Sequence, residues 1–169
     1  TDTQIVTITI TGTNDAPTSS GGITNSNANE AGVNPNGTAQ AGVNASGVAA
    51  ALMANISDVD SSSFTIAQAK ENTVGSFAAV TGGTTSSDGL VVVGLYGTLT
   101  VGADGSYSYV VDQTNGTVQA MTEADSLNDV FVVKVSDGAG GTVEQTLTIA
   151  IDGTNDAPTS SGGITNSNA

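Results

Sequence analysis

Residues 98–111 read TLTVGADGSYSYVV, and this stretch decides the fold. Two runs that alternate between apolar and polar residues flank Asp104-Gly105, and Asp-Gly in that setting is a strong signal for the turn of a β-hairpin. One face of the second strand carries Tyr107, Tyr109 and Val111, because successive side chains of a strand point to opposite faces. We therefore predict two antiparallel strands joined by a turn whose acid has no further role.

Further strands are predicted on both sides of this hairpin. Alternating or β-branched residues mark them near 4–10, 29–33, 48–57, 64–66, 74–80, 90–95, 130–135 and 145–151. The side chains expected to face inward on the last two are Phe131, Val133, Val135, Leu147, Ile149 and Ile151. Without residues 4–10, which precede the domain, about seven to nine short strands separated by turn signals remain, and they indicate an all-β fold, an antiparallel β-sandwich.

Three segments need a closer assignment of secondary structure. Residues 90–95 are continuously apolar, which is typical of a strand buried on both faces. Residues 48–57 alternate as a strand does, and we prefer a strand, although their alanines would also suit a short helix. Residues 117–127 predict a crossover with one helical turn.

A duplicated segment shows how the chain is organised. Residues 12–28 return unchanged as residues 153–169, at a spacing of 141 residues, and the strands before the two copies also align. Self-similarity at a fixed spacing indicates a tandem array. The resulting division is residues 1–12 as the last strand of the preceding repeat, 13–22 as a linker, 23–155 as the domain, and 156–169 as a linker and the start of the next repeat.

Residues 1–12 raise a question of placement. They duplicate the last strand, yet one sandwich has a single position for that strand. The segment is either a loose tail from the preceding unit or a strand that pairs with an exposed sheet edge, in its own chain or in a neighbouring one. We favour a loose tail or a loosely docked strand.

Charge and composition exclude several classes of function. The net charge is −14, from 16 acidic residues against Lys70 and Lys134 alone. Such a chain lacks the clustered cations that bind nucleic acid, and it repels anionic membranes. No apolar run is long enough to insert into a bilayer. The acidity attracts cations, although it would also serve solubility alone.

The missing residue types are informative too. The chain has no Cys and no His. No disulfide can therefore stabilise the fold, and bound metal ions are the alternative in a chain whose Gly, Thr, Ser and Asn content is typical of extracellular proteins. Serine has no His or Cys partner for nucleophilic catalysis, and a glycosidase cleft would need more aromatic residues than three Tyr and three Phe. We expect that the protein is not an enzyme.

Three stretches carry a resemblance to a known family. The sequences GTLTVGADGSYSYVVD (97–112), LNDVFVVKVSDGAGGT (127–142) and TLTIAIDGTNDAP (146–158) resemble the VCBS-type, cadherin-like repeats of giant bacterial repeats-in-toxin (RTX) adhesins. The resemblance covers most of 90–158, and residues 67–90 look like an insertion. It implies a Greek-key sandwich of the immunoglobulin or cadherin type.

The same resemblance implies a role and a location. Repeats of this family are extenders that lie in tandem between a membrane-side anchor and a distal ligand-binding region, at the surface of bacteria that adhere and form biofilms. Their linkers are stiffened by Ca²⁺, and export by a type I system precedes folding. The expected partners are neighbouring repeats of the same chain, and a single unit is expected to be a monomer.

Oxygen-bearing side chains mark a first candidate calcium site. Calcium takes six to eight oxygen ligands. In an immunoglobulin-like sandwich, the turn after the second strand and the final hairpin turn lie at the end where the chain begins. Donors expected to meet there are Asn14, Asp15, Asp58, Asp60 and Asp137. Asp58-Val59-Asp60 resembles the cadherin Asp-Ala-Asp motif. Each acid would also suit a plain turn.

A second candidate site is expected at the opposite end. Its members would be Glu30, Glu123, Asp125, Asp152, Asn155 and Asp156. Glu123 and Asp125 would equally suit a solvated face, and Asp156 would suit an Asx-turn before Pro158.

Two functions remain open. The first is a structural extender that is stiffened by calcium and spaces a distal region from the cell. The second is a ligand-binding adhesin module that uses the insertion at 67–90 to recognise a carbohydrate or a protein.

Overall fold

The computed structural model describes residues 2–158, which contain thirteen strands and two short 3₁₀ helices. The strands are β1 (Thr18–Ser19), β2 (Ile23–Asn29), β3 (Gly32–Val33), β4 (Ala39–Gln40), β5 (Ala45–Gly47), β6 (Ile56–Ser57), β7 (Thr65–Glu71), β8 (Ala78–Ala79), β9 (Leu90–Val93), β10 (Gly97–Val101), β11 (Tyr107–Val111), β12 (Ser126–Ser136) and β13 (Thr142–Asp152). The helices are Ala51–Met53 and Val118–Ala120.

Two larger sheets form the sandwich. One has four strands in the order β5-β11-β10-β9, and the other has five in the order β2-β13-β12-β7-β8. All neighbours are antiparallel except β2 and β13, which run parallel. Two small ladders, β1 with β6 and β3 with β4, lie outside these sheets. The predicted all-β sandwich is confirmed.

The core lies between the two sheets. Tyr109 on β11 meets Phe131 on β12 edge to face, with ring centroids 6.0 Å apart and an interplanar angle of 65°. Aromatic rings prefer this geometry because the positive edge of one faces the negative face of the other. The inward residues predicted on the last two strands are all fully buried. The hairpin at 98–111 is confirmed, with Gly105 at a φ of 81° in its turn.

The segment 4–10 forms no strand in this chain, although its alternation predicts one, and this outcome agrees with the loose tail that we favour. Residues 2–16 form no strand, and the side chains of Val6, Ile8 and Ile10 are exposed. The position that this sequence would fit, between β2 and β12, is already filled by β13. A segment with the pattern of a strand forms none when no sheet position is open to it.

Two apolar segments also differ from prediction. The strand at 90–95 is buried on one face only, because Val91 and Val93 lie on the outer face of the four-stranded sheet, which is turned to solvent. The strand predicted at 48–57 is replaced by the 3₁₀ helix Ala51–Met53, which buries Leu52, and by the short β6. Ala50 adopts a left-handed conformation with a φ of 64°, which interrupts any continuous strand.

Smaller shifts concern the first strand and the insertion. The edge strand expected at 29–33 is present as the end of β2 and the two-residue β3, and the strand expected at 74–80 shortens to β8. The helical turn expected in 117–127 is present as Val118–Ala120. Among residues 2–158, neither helix has the length and apolarity that crossing a bilayer requires.

The two copies of the last strand offer a matched test of these placements. Ile149 is fully buried, whereas its counterpart Ile8 is 80% exposed. Ile149→Ala should lower the free energy of unfolding by about 2–5 kcal/mol, because it leaves a cavity in the core. Ile8→Ala should change it by less than about 0.5 kcal/mol. Urea denaturation of both variants measures the difference, and equal effects would contradict the structure.

Candidate functional site

An N-terminal cluster brings together Asn14, Asp15, Asp58, Asp60 and Asp137, from three separate parts of the chain. The linker before β1 supplies the first two, the segment after β6 the next two, and the β12–β13 turn the last. The Asn14 amide donates a hydrogen bond to Asp137 (Nδ2 to Oδ2, 2.8 Å), and the backbone N–H of Asp15 donates to Asp60 Oδ2 at 3.1 Å. The linker is therefore bonded to two loops of the sandwich.

The turn between β12 and β13 fixes the Asp137 carboxylate. Its Oδ1 accepts hydrogen bonds from the backbone N–H groups of Ala139 at 2.8 Å and Gly141 at 3.0 Å. Gly138 has a φ of 79° and Gly140 a φ of 113°, conformations that glycine adopts without strain. The Asn14 side chain, followed by these N–H groups, lowers the pKa of Asp137. The carboxylate is consequently held ionised and nearly buried.

Asp58 has one satisfied and one unsatisfied oxygen. Its Oδ1 accepts from the backbone N–H groups of Asp60 at 3.0 Å and Ser61 at 3.2 Å, and the bond from Asp60 is the main cause of its lowered pKa. The negative charge of Asp137 acts in the opposite direction. Its Oδ2 is buried and has no hydrogen-bond partner among residues 2–158. A buried carboxylate oxygen without a donor is costly, and a cation would satisfy it.

The donor set of this cluster fits a hard cation. Asp58, Asp60 and Asp137 provide carboxylate oxygens, and Asn14 provides an amide oxygen once its side-chain amide is flipped. Calcium prefers such ligands, whereas a chain without His or Cys offers none of the ligands that zinc favours. Within residues 2–158, no three acidic side chains already surround one point as a metal site would require. Asp60 and Asp137 are instead hydrogen-bonded to the linker, and Asp58 accepts from the backbone of its own loop.

A second group lies at the opposite end, around Glu30. Its buried carboxylate accepts from the backbone N–H of Thr154 and from the Gln119 amide, both at 3.2 Å. Asp156 Oδ1 accepts from the backbone N–H of Val33 at 3.1 Å. Burial raises the pKa of Glu30, the Thr154 N–H opposes that shift, and the charge of Asp156 adds to it. Glu30 and Asp156 are thus near neighbours, as predicted.

The other acids predicted at this end do not join them. Asp125 Oδ2 accepts from the backbone N–H and hydroxyl of Thr122, both at 2.8 Å, and these bonds lower its pKa. Its carboxylate therefore closes its own turn. The crossover reaches the linker through the backbone, where the Gly153 N–H donates to the Asp125 carbonyl at 3.0 Å. Glu123 and Asp152 are exposed.

Asn155 lies in the linker next to this group. Its backbone carbonyl is so close to Gly32 that a Cβ there would lie 3.0 Å from the oxygen. A Cβ at Gly32 would also lie 2.7 Å from Thr154 Cγ2. The linker after β13 therefore packs tightly on the start of β3, and glycine is required at this contact.

Sequence reasoning missed the buried carboxylate of Asp129. It accepts hydrogen bonds from the backbone N–H groups of Leu95 at 3.1 Å and Tyr96 at 3.0 Å, and from the Tyr109 hydroxyl at 2.8 Å. Burial, followed by this carboxylate, strongly raises the pKa of Tyr109. Asp129 shares the inward register of Phe131, so the alternation of β12 contained the signal. Its role is to connect the two sheets.

Comparison with known proteins agrees with this architecture. A sandwich with a parallel first and last strand and acidic loops at both ends defines a cadherin-like domain. The profile of the bacterial cadherin-like domain matches residues 14–153, most of the chain, and the protein belongs to that family. No curated protein matches the sequence at a significant level.

The raised pKa of Glu30 predicts a pH dependence. The pKa of Glu30 is raised above its ordinary value of 4.5, so the native state holds the carboxyl proton more tightly than the unfolded state does. The contribution of Glu30 to stability is therefore full below pH 4.5 and is lost as the pH rises through the native pKa. In metal-free buffer, the free energy of unfolding of the natural chain should fall relative to that of Glu30→Gln between pH 4 and pH 7.

Urea titrations at several pH values give this difference. Asp58 and Asp137 have lowered pKa values, so their stabilising effect is lost as the pH falls. Both proteins carry these two residues, and their effect therefore cancels in the difference between the two stability curves. Parallel stability curves for the two proteins would show that Glu30 is not perturbed.

Proposed function

We propose that this unit is a structural extender, stabilised by calcium, within a large bacterial surface adhesin of the RTX type. Its role would be to space and stiffen the chain between a cell anchor and a distal ligand-binding region. The observation that carries this proposal is the bonding of the linker residues Asn14 and Asp15 to Asp137 and Asp60 beside the unsatisfied oxygen of Asp58. A linker held in this way cannot swing freely.

The duplicated linker supports a rigid junction between units. Asn155 and Asp156 repeat Asn14 and Asp15. The Asp156 carboxylate accepts a hydrogen bond from Val33 in the unit that precedes the linker. The backbone N–H of Asp15 donates a hydrogen bond to Asp60 in the unit that follows the linker. One linker can make both sets of contacts because they involve different atoms. Two sandwiches would then be joined through a few fixed residues.

Charge is the reason such a junction needs cations. Glu30 and Asp156 of one unit would lie near Asp58, Asp60 and Asp137 of the next. Carboxylates gathered in this way repel one another. Bound calcium would supply positive charge and oxygen coordination at this point. The chain's own part is to hold the carboxylates ionised by hydrogen bonds, as it does for Asp58 and Asp137.

The remaining features of the proposal follow from this role. The protein would be extracellular, displayed at the cell surface after type I secretion, and involved in adhesion and biofilm formation. Its partners would be neighbouring repeats, with each unit otherwise monomeric. A net charge of −14 favours neither nucleic acid nor anionic membranes, and the proposed role is not catalytic.

Calcium should stabilise the natural chain. With a dissociation constant of about 0.1–1 mM, 10 mM calcium should raise the melting temperature by roughly 3–10 °C. Asp58→Asn keeps the Oδ1 acceptor for Asp60 but removes the charge that the loop N–H groups stabilise, so we expect a small fall in its metal-free melting temperature and a smaller calcium shift. Differential scanning calorimetry with calcium and with chelator measures both.

Asp112→Asn is the matched control. Asp112 also accepts, through Oδ1, from a backbone N–H two residues on, that of Thr114 at 2.9 Å, and the change removes one charge. It should keep the full calcium shift. Equal shifts in both variants would remove the N-terminal cluster as the calcium site, and no shift in the natural chain would remove calcium from the proposal.

A second candidate function rests on one observation in the insertion. Lys70 and Lys134 are the only basic residues of the chain, and both lie over the ring of Phe77, with Nζ 5.0 Å and 4.3 Å from its centroid. Cations and a partly exposed ring together fit an anionic ligand with an apolar face, such as a carboxylated sugar. This would make the unit a ligand-binding adhesin module.

A glycan array tests that candidate. The natural chain should bind oligosaccharides that contain uronic acids more tightly than their neutral counterparts, and Lys134→Gln should weaken this binding about tenfold if one charge-assisted hydrogen bond is lost. The melting temperature of the variant shows whether it is folded. Equal signals for acidic and neutral glycans would reject recognition by the insertion.

A further inference from the structure

The segment Gln4–Ile10, here called the leading strand, has the sequence of a core strand but no sheet. Its side chains Val6, Ile8 and Ile10 are 82%, 80% and 91% exposed. Their counterparts in β13 are Leu147, Ile149 and Ile151, all fully buried. We propose that the leading strand completes the five-stranded sheet of another unit, in the position between β2 and β12 that β13 fills in its own unit.

The pattern of differences between the two copies supports this fit. The inward positions stay apolar, and two of the three are identical. Larger changes fall at outward positions, where Ile5 replaces the exposed Thr146 and Thr11 replaces the exposed Asp152. A segment that merely linked two domains would have no reason to keep three buried-type residues in alternation.

A buried polar position is also kept. Gln145 is fully buried in β13, where its amide donates to the Gly21 carbonyl at 2.8 Å and its oxygen accepts from the Ser19 hydroxyl. Gln4 occupies the same place in the leading strand. Glutamine is rarely fully buried without partners. The leading strand therefore carries the polar group that this sheet position needs, as well as the apolar ones.

Distance excludes the leading strand's own sheet. In the register of β13, Ile10 would lie where Ile151 lies, at the far end of the strand from Asp137. Ten residues of strand separate Gly141 from Ile151 and span about 33 Å. The four residues from Ile10 to Asn14 reach about 14 Å at most. Because Asn14 is hydrogen-bonded to Asp137, the leading strand can fill only the sheet of a different unit.

The partner is consequently a second unit of this same kind in which β13 does not occupy the sheet, because a filled position leaves no room for another strand. Insertion would place the C-terminal end of the acceptor beside the N-terminal cluster of the donor, the same order as in a tandem array. Contacts of this head-to-tail kind propagate and do not close. The inference goes beyond the extender role and does not involve calcium, so its test is done in chelator.

The experiment uses the whole chain and its lack of cysteine. Ile149→Asp places a charge in the core and releases β13, which vacates the sheet position in every molecule. Adding Thr7→Cys and Val130→Cys provides a readout, because Thr148, the counterpart of Thr7, pairs with Val130. Oxidation should produce a ladder of covalent oligomers, and circular dichroism should show β-structure that increases with protein concentration.

Two controls make the result decisive. Adding Ile8→Asp to the same background should reduce the cross-linked fraction at least about tenfold, the effect of a loss of 1.4 kcal/mol in strand binding. Thr148→Cys with Val130→Cys in the otherwise natural chain should close an intramolecular disulfide, which confirms that the register permits the bond. If Ile149→Asp chains cross-link no more than those that also carry Ile8→Asp, the proposal is overturned.

Discussion

The structure depends on β13, which pairs with β12 over eleven residues on one side and with β2 in parallel on the other. Its inward side chains lie at the centre of the core, and its first and last residues define the two ends of the sandwich. Because β2 runs parallel to it, the chain begins at one end of the domain and leaves at the other. Further units of the same kind therefore join end to end along the direction of these strands.

Both acidic groups owe their positions to this strand. The turn that leads into β13 presents Asp137 to the incoming linker, and the residues that follow β13 bring Thr154 and Asp156 to Glu30 and Val33. The hydrogen bonds at each end therefore connect a linker to the sandwich rather than one loop to another. This arrangement explains why identical linker sequences are found before the first strand and after the last.

Much of the fold was predictable because its signals are local. Asp104-Gly105 between alternating runs gives the central hairpin, and the inward register of Phe131 and Ile149 follows from period two. The N-terminal cluster was also predictable, since the topology of a sandwich alone brings Asp58, Asp137 and Asn14 to one end. The prediction failed at Asp125, because its carboxylate accepts hydrogen bonds from Thr122, three residues away, and does not reach Glu30.

What could not be predicted depends on competition between equivalent segments. Residues 4–10 and 145–151 have the same alternation, and only the assembled sheet shows that one of them has no position. Likewise, the apolar run at 90–95 is consistent with a strand buried on both faces, and its exposure on one face follows from the outer surface of a two-layer sandwich. The sequence of a strand shows which side chains it can bury, whereas the strands that surround it in the sandwich determine which of them are buried.

The parallel pairing of β2 with β13 has a mechanical consequence. When the two ends of the unit are pulled apart, the first and last strands are drawn past each other along their length. Their hydrogen bonds, which are interrupted by one register shift between Ile149 and Ile151, then share the load, unlike those of a hairpin that opens one pair at a time. Tension along the chain thus acts on the most resistant direction of this sheet.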